Sequence, residues 1–156
     1  PHRVRLRLDK PGGIRMEATV LEQPPMKDPE SAPAWKVALA KHPVHRNNRF
    51  LYHKTTMRAV YDEARRDFPG CDDVILWNEL DEITESTVAN VVIRKNGRLV
   101  TPPVACGLLG GTFRHFLLRE GVLQEAVIQK RDLAEADTIY LINGVRGWMR
   151  ADIVQT

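Results

Sequence analysis

The order of the 156 residues predicts a mixed α/β (α+β) fold dominated by strands and hairpins. Three observations lead there. Apolar and polar residues alternate in several short runs, the period of a strand with one covered face. Only two longer stretches carry helical spacing, one starting at Lys54 and one at Thr112. Turn signals, among them Pro11-Gly12-Gly13 and Asn96-Gly97, cut the alternating runs into hairpin lengths.

Taken in order, Val4, Leu6 and Leu8 alternate with arginines, and Ile14, Met16, Ala18 and Val20 alternate after the turn. This predicts a hairpin with one buried face. Residues 22–33 are rich in proline and charge and read as a loop, and Trp35 to Ala40 as a strand. From Lys54, the positions Met57, Val60, Tyr61, Ala64 and Phe68 predict a helix that Lys54 opens and Pro69-Gly70 stops. Asp73 to Trp77 is a short apolar strand, Asn78 to Glu82 a turn, and Ile83 to Lys95 a strand interrupted near Ser86-Thr87. Asn96-Gly97 turns into Arg98 to Thr101, which Pro102-Pro103 ends. A loop from Gly107 to Gly111 enters a helix over Thr112 to Glu120, stopped by Gly121. Glu125 to Gln129 reads as strand, and Asp132 as the cap of a short helix over Leu133 to Ala136. Ile139 to Ile142 is a buried strand, and Trp148 to Val154 a last one.

The length and a 43% hydrophobic content suit one domain with its own core. A net charge of +3, spread over both signs without a basic block, reads as an ordinary solvated surface rather than a nucleic-acid or membrane interface. Cys71 and Cys106 are far apart and the five histidines show no ligand spacing, so neither a disulfide framework nor a metal site is expected. Two isolated cysteines, no signal peptide and no long apolar run fit a reduced, cytoplasmic compartment. The chain opens on Pro1-His2-Arg3 without a start methionine, as expected of a piece cut from a longer chain.

Three stretches carry chemistry in combination. Most lysines are solvated, and Lys54 alone says little. At a helix start, however, the dipole would favour its neutral amine, the form that attacks a carbonyl to make a Schiff base. Glu85 reads either as a solvated strand end or as a carboxylate that keeps a pyridine nitrogen protonated, with Asn90 bracing it. The glycines up to Gly111 allow a close backbone approach, so that Thr112 and Phe113 offer free N–H groups to a phosphate. Asn143-Gly144 is either a plain turn or a second set of donors. Tyr61, seven residues after Lys54, is placed on the same side of the helix. His53 reads as a capping or packing residue, and Trp77 and Trp148 as packing.

Together Thr84-Glu85-Ser86, Asn90-Val91-Val92, Thr101-Pro102-Pro103, Gly107-Leu108-Leu109 and Arg114, in that order, resemble the class IV (fold type IV) pyridoxal-phosphate family of aminotransferases and lyases. The likeness runs from about His2 to Ala151. His53-Lys54-Thr55-Thr56, Arg58, Tyr61 and Asn143-Gly144-Val145-Arg146-Gly147-Trp148-Met149 are similar to the aminodeoxychorismate lyase-like modules fused to aminodeoxychorismate synthase chains. The resemblance implies a strand-rich pseudo-barrel with flanking helices over residues 1–156, the C-terminal cofactor-binding domain without the family's N-terminal lobe. It implies pyridoxal 5′-phosphate as cofactor and Lys54 as the Schiff-base lysine. Glu85 would partner the pyridine nitrogen, and the backbone at Thr112-Phe113 and Asn143-Gly144 would hold the phosphate. It also implies a homodimer, fused to or associated with a synthase component, acting on a small amine.

The expected reaction is cleavage of 4-amino-4-deoxychorismate into 4-aminobenzoate and pyruvate, with Lys54 as general base and Arg146 binding a substrate carboxylate. Transamination of branched-chain or D-amino acids begins with the same deprotonation, so the residues around Lys54 do not separate the two. A non-catalytic docking or dimerisation remnant stands as the reading from another class. Nucleic-acid binding by the arginine-rich first hairpin is a weaker fourth.

Overall fold

Six strands of a computed structural model, which describes residues 1–154, close into a barrel. They are β3 (Ala34–Leu39), β4 (Asp73–Trp77), β5 (Ile83–Ser86), β6 (Asn90–Lys95), β9 (Thr138–Asn143) and β10 (Gly147–Ile153). The order around the ring is β5-β4-β3-β10-β9-β6, and the pairing of Glu85 with Asn90 joins β6 back to β5. β7 (Arg98–Thr101) and β8 (Gln124–Glu125) extend the sheet outward from β6.

Period-two alternation sorts the apolar side chains into an inside and an outside. Val37, Ile75, Val91, Ile93, Ile139, Leu141, Met149 and Ala151 form one buried cluster with a member on each of five barrel strands, and Ile83 adds the sixth. Their chain neighbours point the other way into two outer clusters. Ala38, Val74 and Leu76 pack under α1 (Ala59–Arg66) through Tyr61, with Phe68 just beyond the helix. Val92, Tyr140, Ile142 and Trp148 pack with Leu117 of α2 (Thr112–Arg119). Covered on both faces, these strands read as continuous apolar runs such as Val74-Ile75-Leu76. β3 and β4 are parallel neighbours with α1 between them in sequence, a βαβ crossover.

Most predicted elements form within a residue or two of their expected bounds. The turn between β6 and β7 has Asn96 at φ 52° and Gly97 at φ 73°, the left-handed pair a tight hairpin needs. Gly147 is also obligatory, because a Cβ there would lie 1.9 Å from the Met26 carbonyl oxygen. Through that contact the 22–33 loop crosses the barrel end.

Four expectations need correction. The first hairpin, β1 (His2–Leu8) and β2 (Ile14–Val20), forms in the expected register, but neither face is buried. Leu8, Ile14 and Met16 remain 75%, 71% and 71% exposed. Lys54 does not open a helix: α1 starts at Ala59, and Lys54 lies in an irregular loop. There the Thr55 hydroxyl accepts from the Met57 N–H, a local turn that competes with the helix. Of the expected 125–129 strand only Glu125 is regular, in β8 beside β7. Asp132 is the first residue of α3 (Asp132–Glu135), not its cap, and it accepts from the N–H of Gln129 behind it.

Candidate cofactor site

Glu85 is the next-to-last residue of β5, at the turn into β6. Glu85 is only 5% exposed. Its Oε1 accepts from the Tyr61 hydroxyl at 2.7 Å, and the Leu109 N–H donates to the same carboxyl. Burial pushes the acid up to about 7, above its ordinary value of 4.5. The Tyr61 and Leu109 bonds and the positive charges of Arg58 and Lys54 pull it back down, each by less than burial raises it. Burial, and then Glu85, push the Tyr61 phenol up, so it stays a donor. The structure thus joins Tyr61 to Glu85 directly, whereas Lys54 is exposed in the loop before α1, bonds neither of them, and does not share the expected helix face with Tyr61.

Asn90 does not bond the Glu85 carboxyl. Its Nδ2 donates to the Leu109 carbonyl at 2.7 Å, and so it steadies the residue whose N–H meets Glu85. Its Oδ1 explains Gly111, where a Cβ would lie 2.2 Å away. Gly111 then leads directly into α2, whose N-terminus has no side-chain cap. The first turn, with Thr112 and Phe113, keeps its N–H groups for another acceptor. Gly144 closes in on the same point, its Cβ position 3.2 Å from the Thr112 Oγ1. Asn143 forms the turn itself: Oδ1 accepts from the N–H groups of Val145 and Arg146, and Nδ2 reaches the Val88 carbonyl at 3.3 Å. The Asn143 side chain is therefore spent on the turn, and the backbone near Gly144 faces α2.

The Arg146 side chain makes no hydrogen bond or ion pair among the described residues. It is exposed, and its guanidinium lies 5.3 Å from the centre of the Trp35 ring. His53 is exposed, Trp148 is packed, and Trp77 donates to the Ala40 carbonyl, as packing residues do. No group of three or more metal-binding side chains occurs among the described residues, and both cysteines are free. No helix among the described residues is long and apolar enough to cross a membrane.

Sequence reasoning missed three participants. The Leu109 N–H is a backbone donor and leaves no mark in a side chain. Thr87 and Asp73 meet across the barrel wall: the Thr87 hydroxyl bonds the fully buried Asp73 Oδ1. Only an acid at the start of an apolar strand, Asp73-Val74-Ile75, hinted at this.

A buried acid held by two neutral donors is short of positive charge. A flat ring with a protonated nitrogen supplies that charge, and uncapped N–H groups at the Gly111–Thr112 helix start suit a dianionic phosphate on the same molecule. The donor set therefore fits pyridoxal 5′-phosphate.

The family described as amino-transferase class IV matches residues 5–154. A Schizosaccharomyces pombe protein, provisionally named an aminodeoxychorismate lyase, is 34% identical over 152 residues, covering 92% of this chain and 63% of that one. The aminodeoxychorismate lyase of Saccharomyces cerevisiae is 28% identical, covering 97% of this chain and 51% of its own length. A solved Mesorhizobium loti structure, provisionally named an amino-acid aminotransferase, superposes with a TM-score of 0.85 at 35% identity, covering 98% of this chain and 73% of that one. The chain thus spans between half and two thirds of the length of these two yeast relatives.

Proposed function

The chain belongs to the amino-transferase class IV family, whose members depend on pyridoxal 5′-phosphate, and on that premise we propose a lyase. Its substrate is 4-amino-4-deoxychorismate and its products are 4-aminobenzoate and pyruvate, a step toward folate. The observation that carries the cofactor reading is the buried Glu85, bonded by Tyr61 and linked through Leu109 and Asn90 to the uncapped helix start at Gly111–Thr112. The names of the two yeast relatives support the choice of substrate. The same reading assigns a homodimer, fused to or working beside the synthase that makes the amine.

When bound, the cofactor supplies a protonated ring that draws electrons from a breaking C–H bond. Lys54 would hold the cofactor, and its amine would take the proton from the amine-bearing carbon of the substrate. Glu85 keeps the ring nitrogen protonated, and Tyr61 holds Glu85 in place. The N–H groups of Thr112 and Phe113, with the backbone of Gly144 beside them, hold the phosphate. Arg146 presents its fork of donors to a substrate carboxylate, with Trp35 setting its direction.

Adding pyridoxal phosphate to the purified protein is expected to give a yellow band that borohydride removes and that Lys54→Ala abolishes. The loaded protein then releases 4-aminobenzoate from aminodeoxychorismate. Transamination is the second reading, favoured by the name of the Mesorhizobium loti structure. Turnover of an amino acid with 2-oxoglutarate, and none of aminodeoxychorismate, would establish it instead. A protein that stays colourless would support the docking remnant.

A further inference from the structure

We propose that Arg58 is a positioning residue for Glu85, tying the helix that carries its hydroxyl partner to the turn that follows the acid. Arg58 is the cap residue of α1, and its carbonyl accepts from the N–H groups of Tyr61 and Asp62. Its guanidinium lies 4.6 Å from the centre of the Tyr61 ring, whose hydroxyl donates to Glu85. The same guanidinium donates through Nη2 to the Thr87 carbonyl, two residues beyond Glu85. One side chain thus grips both elements that carry the acid, the helix with Tyr61 and the turn after β5.

The far end of the grip is anchored. Thr87 donates its N–H to the Val74 carbonyl at 3.1 Å and its hydroxyl to Asp73 Oδ1. Asp73 Oδ1 also accepts from its neighbour Val74 at 2.8 Å and lies 3.4 Å from Arg65 Nη1. The turn therefore cannot follow Arg58 if it shifts; the helix must. The groups that act on Glu85 are Lys54 from the preceding loop, Arg58 and Tyr61 from α1, and the Leu109 N–H from the loop before α2. Of these, Lys54 is the amine that the cofactor reading commits to a covalent link, where its charge would depend on that link. Arg58 then remains as the permanent positive charge, since a guanidinium does not deprotonate in proteins.

The consequence for cofactor binding rests on the function proposed above; the titration of Glu85 does not. Carbon-13 NMR of the cofactor-free protein, labelled at glutamate carboxyls, follows Glu85, with Glu85→Gln identifying its resonance. The wild-type midpoint is expected at about 7. Arg58→Gln, which keeps a donor for Thr87 but no charge, raises it by about one pH unit. Arg58→Lys, which keeps the charge, restores it close to the wild-type value. A midpoint unmoved in Arg58→Gln, or moved as far in Arg58→Lys, overturns the proposal. So does a failure of both Arg58→Gln and Arg58→Met to fold between pH 6 and 8, because that assigns Arg58 to the scaffold alone. A wild-type protein that takes up no pyridoxal phosphate counts against the proposed function and leaves this titration standing.

Discussion

The Tyr61 hydroxyl bonds Glu85 at 2.7 Å across a gap of 24 residues in sequence, inside a site that shields both from water. Tyr61 orients the acid without neutralising it. Both partners are pushed up by burial, so the phenol keeps its proton while the carboxyl titrates near neutrality. A carboxylate in this state favours a cation beside it, and a pyridinium nitrogen meets that demand.

The same shift makes Glu85 a liability to the cofactor-free fold at high pH. The unfolded chain releases this proton near pH 4.5 and the folded chain near 7. Between those values the native state holds more protons, so stability falls as pH rises. The loss is about 3 kcal/mol, at roughly 1.4 kcal/mol for each pKa unit. Glu85→Gln keeps an acceptor for Tyr61 and carries no charge. Urea unfolding should show the variant more stable than wild type at pH 8, with the gap shrinking at pH 5. A gap of equal size at both values would remove burial of the charge as its cause.

Gly111→Ala tests the packing of the loop that enters α2. The new Cβ would come 2.2 Å from Asn90 Oδ1, and Asn90 would have to release the Leu109 carbonyl. Overpacking of this kind costs about 1–3 kcal/mol. Asn90→Ala in the same chain removes the clash, so the double variant should lose less than the sum of the two single losses. Simple additivity in denaturant titrations would mean that the two residues do not meet.

Much of this was legible in advance. Two-residue alternation and Asn96-Gly97 marked the strands, because a sheet covered on both sides leaves apolar runs that end at turn residues. Barrel closure was not legible: it rests on Glu85 pairing with Asn90, which no local preference encodes. The hairpin failed differently. Alternation identifies the apolar face of β1 and β2 but not what covers it. At Lys54 the apolar spacing of the next residues outweighed Thr55-Thr56, whose hydroxyl and branching favour a turn. Glu85 and Gly111 could be named from residue type, whereas Leu109 acts through its backbone N–H, and Thr87 through its carbonyl and a hydroxyl whose partner, Asp73, is distant in sequence.

On the proposed function, Arg146 separates substrate binding from cofactor binding. It stacks on Trp35 and is distant in role from Glu85, Leu109 and Thr112. Arg146→Ala should therefore raise KM for aminodeoxychorismate about ten- to hundredfold, the worth of one charge-assisted hydrogen bond. The dissociation constant for pyridoxal phosphate, read from absorbance, should stay unchanged. An equal loss in both would place Arg146 in the cofactor site.

The first hairpin predicts a stability effect that should be absent. Leu6 and Met16 face each other across β1 and β2 and are 69% and 71% exposed. Those strands pair with each other and with no strand of the barrel. Two-stranded ribbons have little stability of their own, so the cooperative unfolding measured in denaturant belongs to the barrel clusters around Val37, Leu76 and Trp148. Leu6→Lys combined with Met16→Thr should leave that transition within about 0.5 kcal/mol of wild type, as for other exposed sites. The same change should lower binding of a hydrophobic dye, because it breaks the apolar row of Val4, Leu8, Ile14 and Val20 on that face. A clear drop in the denaturation midpoint would show that the ribbon packs against the barrel in solution.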